Sequence, residues 1–287
     1  MKYAFIAAHT VMYSVMRLCE VLGVSRSGYY EWKSRKPSAR RRYNEKLLNE
    51  IRCIAKETMN TYGSPRMYVE LVARGYQLSC GRVARVMRKY GVVAKQATRR
   101  KRTIKHREGQ APEPNYLNRC FYAAKPNEKW VSDITFIETR EGWLYLAVVL
   151  DLYSRAIVGW SMSHKIDGQL VKNALSMAIN QRGEPTKTLV HSDQGCQYTA
   201  ASYRQLLSSY GLKCSMSRKG ECHDNAVAES FFHTLKNELV HDAQFQTRAD
   251  AKQAIFKYIE MFYNRKRRHS TIDYYAPFEY EKMKSAA

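Results

Sequence analysis

Between Lys129 and Ser163 the apolar residues come in three dense runs, WVSDITFIET, WLYLAVVLDLYS and AIVGWSMS, broken at Arg140-Glu141-Gly142 and at Ser154-Arg155. Runs of this length, rich in β-branched and aromatic residues and bounded by turn formers, predict three consecutive strands paired as an antiparallel meander. The period then changes. Gln169 to Asn180 reads as a helix, TLVHSD as a short buried strand, Ala201 to Tyr210 as a helix, KCSMS as a strand, and a long helix runs from about Asn225 to Leu239.

The first hundred residues carry only helical periods. In SVMRLCEVLGVSRSGYYEWK, residues 14–33, a short helix leads to a turn at Gly23 and a second helix capped by Ser25, the grammar of a helix-turn-helix. Val15, Leu18 and Leu22 fall on its buried face, leaving Arg26, Ser27, Tyr29 and Tyr30 to face a DNA groove. A second copy follows the basic stretch Arg40 to Arg42. Ser64 caps a helix with Pro65 in its first turn and Gly75 closing it, and Ser79 opens another. There Val83, Val86 and Met87 form the apolar stripe, while Arg82, Arg85 and Lys89 recur on a different face as candidate DNA contacts. From Thr98 to Lys125 the pattern dissolves into a basic run followed by Gly and prolines, which reads as a linker. The whole order, all-α region and then βββαβαβα, describes an α/β chain with a mixed five-stranded, ribonuclease-H-like sheet.

Charge sharpens the picture. The chain has 48 Lys and Arg against 26 Asp and Glu, a formal +22; residues 1–110 hold 25 basic and 7 acidic side chains, a surplus of 18, which leaves only +4 for the rest. So concentrated a surplus calls for a polyanion, and nucleic acid is the natural one. No run approaches the roughly 20 apolar residues of a membrane span, and Met1 to Thr10 is too short and weakly apolar for an export signal, so a cytoplasmic address is expected. The seven cysteines are scattered singly, without zinc spacing, and read as reduced thiols.

Three acids stand where chemistry would need them. Asp133 interrupts an apolar strand, Asp193 lies just past a buried strand before Gln194-Gly195, and Glu229 falls in the first turns of the long helix. Cleaving a phosphodiester without a covalent enzyme intermediate takes two divalent ions roughly 3.5–4 Å apart, and hence converging carboxylates. On a uniform helix, Asn225 lies about 40° and Lys236 about 20° from Glu229, so all three share one face. Asp151 reads as structural, bonding local turn amides, and Glu221 and Asp224 as acids favouring a helix N-terminus. His191, beside Asp193, reads as a supporting group, since a two-metal site needs no general base; Thr135 is placed with it.

The words around these acids, W-x-x-D-I-T at Trp130 to Thr135, H-S-D-Q-G at His191 to Gly195 and D-N-A-V-A-E-S-F-F-H-T-L-K at Asp224 to Lys236, resemble the three catalytic blocks of bacterial insertion-sequence transposases. The likeness is to the OrfB-type product of elements with two overlapping frames, whose core is retroviral-integrase-like; Y-N-R-K-R-R-H-S and Pro277 resemble that group's ending. The resemblance implies that Asp133, Asp193 and Glu229 hold two Mg²⁺ or Mn²⁺ ions, that Lys236 grips DNA near the cut end, and that Asn225 orients Glu229 or touches DNA. It further implies double-stranded DNA partners (terminal inverted repeats and target), a homo-oligomer on paired ends, fusion or association with an upstream helix-turn-helix product, and work at the bacterial nucleoid. The expected divisions are a helix-turn-helix-like segment (1–40), a second helical DNA-binding domain (41–100), a linker (101–124), the catalytic core (125–240) and a basic helical extension (241–287). A DNA-binding regulator with an inert core, or a nuclease that cuts without joining, are the alternatives.

Overall fold

The computed structural model describes residues 1–36, 38–95 and 112–285, and the chain forms two units, Met1–Arg52 and Cys53–Ala287. The basic run of the expected linker therefore lies mostly outside the described residues. In the first unit, α1 (Lys2–His9) precedes α2 (Val15–Val21) and α3 (Arg26–Ser34), and α4 (Ala39–Glu57) begins after them. Ser14 accepts the Arg17 amide and Ser25 the Gly28 amide, capping α2 and α3, and Gly23 turns between them at φ 60°. Ile6, Leu18, Cys19 and Tyr29 make the small core. Tyr29 is thus not a groove-facing residue: it is fully buried, while Arg26, Ser27 and Tyr30 stay exposed.

The second unit opens with α5 (Ser64–Ala73) and α6 (Cys80–Lys89). Gly63, not Ser64, occupies the cap position of α5, with Pro65 in its first turn; Gly75 leaves at φ 87°, and Ser79 caps α6 through the Arg82 amide. Val83, Val86 and Met87 are buried, and Arg85 and Lys89 are exposed, as the periodicity requires.

Five strands form one sheet in the order β3-β2-β1-β4-β5: β1 (Lys129–Thr139), β2 (Gly142–Asp151), β3 (Ile157–Ser163), β4 (Leu189–Ser192) and β5 (Lys213–Met216). The first three are antiparallel, and β4 and β5 run parallel to β1. α7 (Gly168–Gln181), capped by Asp167, crosses from β3 to β4; α8 (Cys196–Thr199) and α9 (Ala201–Ser209) cross from β4 to β5. Trp130, Val149, Val158, Leu175, Val190 and Leu207 belong to the core between the sheet and these helices. Gly159 lets α7 approach β3 closely, since a Cβ there would stand 2.7 Å from the Ala178 nitrogen.

After β5 come α10 (Ala226–Leu235), continued as a π-helical stretch over Lys236–Val240, then α11 (Arg248–Phe256), a second π-helical stretch over Lys257–Tyr263, and α12 (Pro277–Ser285). One expected boundary shifts. Residues 112–124 are an arm packed on the core, not a free linker: the Tyr116 and Leu117 amides donate to Ser215 Oγ at 3.0 and 3.2 Å, and Leu117 is buried. The C-terminal extension is likewise integral, because the Asn264 side chain pairs with both backbone groups of Ile157, and Arg182 pairs with Glu281. Arg268 bonds Glu70, and Tyr62 bonds the Lys266 carbonyl, tying α5 to this extension. Among the described residues no helix is long and apolar enough to cross a membrane.

Candidate active site

The pairing of β1 with β4 brings two acids side by side. Val131 lies opposite His191, so two residues further along these parallel strands Asp133 comes level with Asp193. β4 ends at Ser192 while β1 runs on to Thr139, so the two carboxylates meet just beyond the carboxyl end of β4, between the middle strands of the sheet. Asp193 Oδ1 accepts the Gly195 amide at 3.0 Å, a tight turn in which a Cβ on Gly195 would stand 2.9 Å from that same oxygen. Asp133 accepts the Ile134 amide at 2.8 Å. Burial pushes the Asp133 carboxyl well above its ordinary range; the charge of Asp193 adds to this, the Ile134 amide opposes it, and Glu229 contributes further.

Glu229 comes from the first turn of α10, which lies against β1. Its carboxyl is raised by burial and drawn back by His223. The residue that ties this helix to the strand is Asn225, whose Nδ2 donates to the Ser132 carbonyl at 3.1 Å, one residue before Asp133. Asn225 is 4% exposed and stands in a 3₁₀ turn ahead of α10, so it braces the helix and does not present a surface for DNA. The single helical face expected for Asn225, Glu229 and Lys236 holds only in part: Asn225 stands ahead of the α-helix, whereas Lys236 closes α10 in α-helical geometry, φ −64° and ψ −42°, and keeps the face of Glu229 two turns earlier. Lys236 still reaches the site: its ammonium lies 4.7 Å from the Phe136 ring centre, and its pKa is lowered by burial against the pull of Asp133.

Hard carboxylates suit Mg²⁺ or Mn²⁺, and the repulsion from Asp193 and Glu229 that adds to burial in raising the Asp133 pKa is what a cation would relieve. No three His, Cys, Asp or Glu side chains among the described residues are gathered closely enough to hold a metal ion.

The surrounding polar groups sort themselves by partner. His191 lies between two serines, Nδ1 2.9 Å from Ser215 Oγ and Nε2 3.1 Å from Ser217 Oγ, and burial lowers its pKa to about 4 against the pull of Asp224. It is a neutral brace between β4 and β5. Thr135 is buried two residues beyond Asp133, on the same face of β1. Asp151 accepts the Asn127 and Tyr153 amides and is structural, as expected. Asp224 is more than a dipole partner. It is fully buried and held well below the usual carboxylate range, first by its bonds to Arg218 and with help from Arg119. Its nearest basic partner in sequence is six residues away and the other is 105, so no local pattern announces the cluster. On α6, Arg85 bonds the Gly81 carbonyl of its own helix and Lys89 lies over Tyr90.

Family models described as integrase core domains match residues 123–222 and 229–284, and an HTH-like domain matches 42–102. The chain is 43% identical over 284 residues to a protein described as transposase InsF for insertion sequence IS3A of Escherichia coli K12, covering 98% of both chains. It is 42% identical over 260 residues to an uncharacterized 31 kDa protein of insertion element IS600 from Shigella sonnei, covering 91% of this chain and 96% of that one. Among solved structures, the HTLV-2 integrase catalytic core domain in complex with magnesium aligns with 55% of this chain and 98% of its own, at 19% identity and a TM-score of 0.42.

Proposed function

This chain belongs to the insertion-sequence transposases with an integrase core, and from that premise we propose that Asp133, Asp193 and Glu229 are the acids that hold two divalent cations and carry DNA cleavage and strand transfer. The observation that carries the reading is the strand register that leads to Asp133 and Asp193 side by side at the carboxyl end of β4, with α10 pinned to the residue before Asp133.

Bound there, the cations would activate the attacking oxygen and stabilise the departing one. The first attack is by water on the phosphodiester at the element end: the new P–O bond forms as the bond to the 3′ oxygen breaks, freeing a 3′-hydroxyl. That hydroxyl then attacks a target phosphodiester, exchanging one P–O bond for another, so no ATP is consumed. Lys236, whose charge acts on Asp133, positions a DNA phosphate at the cut end. Arg26 and the α6 residues Arg82, Arg85 and Lys89 supply duplex contacts, the latter three within the HTH-like match. Terminal inverted repeats as substrate, target DNA, a homo-oligomer on paired ends and association with an upstream-frame product complete the reading.

Asp133→Asn, Asp193→Asn and Glu229→Gln should each abolish Mg²⁺-dependent cleavage of element-end DNA while leaving binding nearly intact. Retained cleavage in any of the three would remove that residue from the triad. Products joined to a supercoiled target separate a transposase from a nuclease that only cuts.

A further inference from the structure

The carboxylate of Asp224 is fully buried, yet five hydrogen bonds reach it. Oδ1 accepts Arg119 Nε and Arg218 Nη2, each at 2.7 Å; Oδ2 accepts Asn115 Nδ2 at 2.8 Å, Arg218 Nε at 2.9 Å and the Arg218 amide at 3.0 Å. A carboxylate offers about four lone-pair sites, so this one is saturated, largely by charged donors. Arg119 also holds Glu221 with its second nitrogen, and Asn115 Oδ1 folds the arm by accepting the Asn118 amide at 2.8 Å. The donors come from two places: Arg218 from the loop after β5, Asn115 and Arg119 from the arm ahead of β1.

What this cluster fixes is the start of α10. Asn225 stands at the cap position but makes no capping bond to the helix: its Nδ2 donates to the Ser132 carbonyl, and its Oδ1, the atom that could cap, accepts no hydrogen bond. The turn that carries Glu229 is therefore held by anchors at 224 and 225 in place of a cap. One anchor reaches β1, and the other reaches the arm. The arm lies almost wholly outside the matched integrase core, which begins at residue 123.

The geometry points to Asn115, Arg119 and Asp224 as positioning residues: the arm, clamped on Asp224, holds the first turn of α10 where Glu229 can join Asp133 and Asp193. This rests on the reading of Glu229 as the third acid. Assembly of the metal site then depends on the seating of a segment far from it in sequence.

The test uses the full chain with Asn115→Ala and Arg119→Ala combined, since these partners sit at the arm and leave the Arg218–Asp224 pair in place; Arg119→Lys is the conservative companion. The double variant should raise the Mg²⁺ concentration for half-maximal cleavage about tenfold, as loss of a group that orients a metal ligand does. Saturating metal should restore the rate, DNA binding should not change, and backbone amides 226–231 should exchange hydrogen faster than in the wild type. Arg119→Lys should fall between the two. Unchanged exchange at α10 would overturn the clamp, and so would faster exchange with a wild-type Mg²⁺ requirement, which would leave a plain structural brace. Failure of the triad reading looks different: an active Glu229→Gln, whatever the exchange pattern.

Discussion

Among the acids of the catalytic domain that are largely withdrawn from water, Asp133, Asp151 and Asp224 have partners that separate their roles. Asp151 accepts two backbone amides and Asp224 is saturated by guanidinium and amide donors, so each has its charge answered from within the protein. Asp133 accepts the amide of its neighbour and faces two further acids, an arrangement that lacks a compensating positive charge of its own apart from Lys236. Lys236→Ala should therefore fold normally and cleave element-end DNA poorly; wild-type end binding and cleavage would reduce it to a solvated lysine. His191 carries a pH prediction. Its folded pKa, about 4, lies below the ordinary value near 6.5, so between those limits the unfolded chain binds more protons than the folded one, and stability falls as pH drops from 6.5 toward 4. Denaturant midpoints should decline over that window, and the His191 ring signals should show a neutral imidazole at pH 5.5. A ring that titrates near 6.5 would contradict the burial argument.

At the scale of elements, strands were the most legible part because β1, β2 and β3 combine β-branched and aromatic runs with turn residues at both ends. Their order and the two acids at the β1 and β4 positions followed directly. α4 was hidden behind its arginines, although Leu47, Ile51 and Ile54 repeat at helical spacing and are fully buried. α1 gave no cap signal at all, since no side chain caps it. The Asp224 cluster and the ion pair of Glu238 with Arg267 were illegible for a different reason: their partners are distant in sequence, and charge alone does not say which of 26 acids is buried. The second of these invites measurement. Arg267 is 4% and Glu238 7% exposed, their contacts run from 2.7 to 3.0 Å, and Tyr258 completes the set at 2.7 Å from Glu238. Arg267→Ala should cost about 3 kcal/mol by leaving the buried Glu238 carboxylate only Tyr258 and the more distant Arg66, 3.9 Å away, whereas Arg267→Met with Glu238→Leu should cost far less. Equal losses in the two would show that packing, not the unpaired charge, dominates there.

Across the whole chain, charge and chemistry are divided between regions: the surplus of 18 lies in residues 1–110, and the acids of the site lie in the nearly balanced remainder. Such a division suits a protein that grips duplex DNA through sequence-independent phosphate contacts with one region and acts on a single phosphate with another. The α6 residues test it, because Arg85 and Lys89 are exposed on a helix whose opposite stripe of Val83, Val86 and Met87 is buried, so their removal leaves the core untouched. Each neutralised phosphate contributes roughly −0.9 to the slope of log affinity against log salt, and a triple Arg82→Ala, Arg85→Ala, Lys89→Ala variant of the full chain should flatten that slope by about 0.9 for every phosphate it no longer neutralises. If these side chains read bases, discrimination between element-end and unrelated duplexes should fall as well; if they only track phosphates, both duplexes should weaken together. A triple variant with the wild-type slope on both duplexes would place the DNA-gripping surface elsewhere among the basic residues, with Arg26 on the exposed side of α3 the next to be changed.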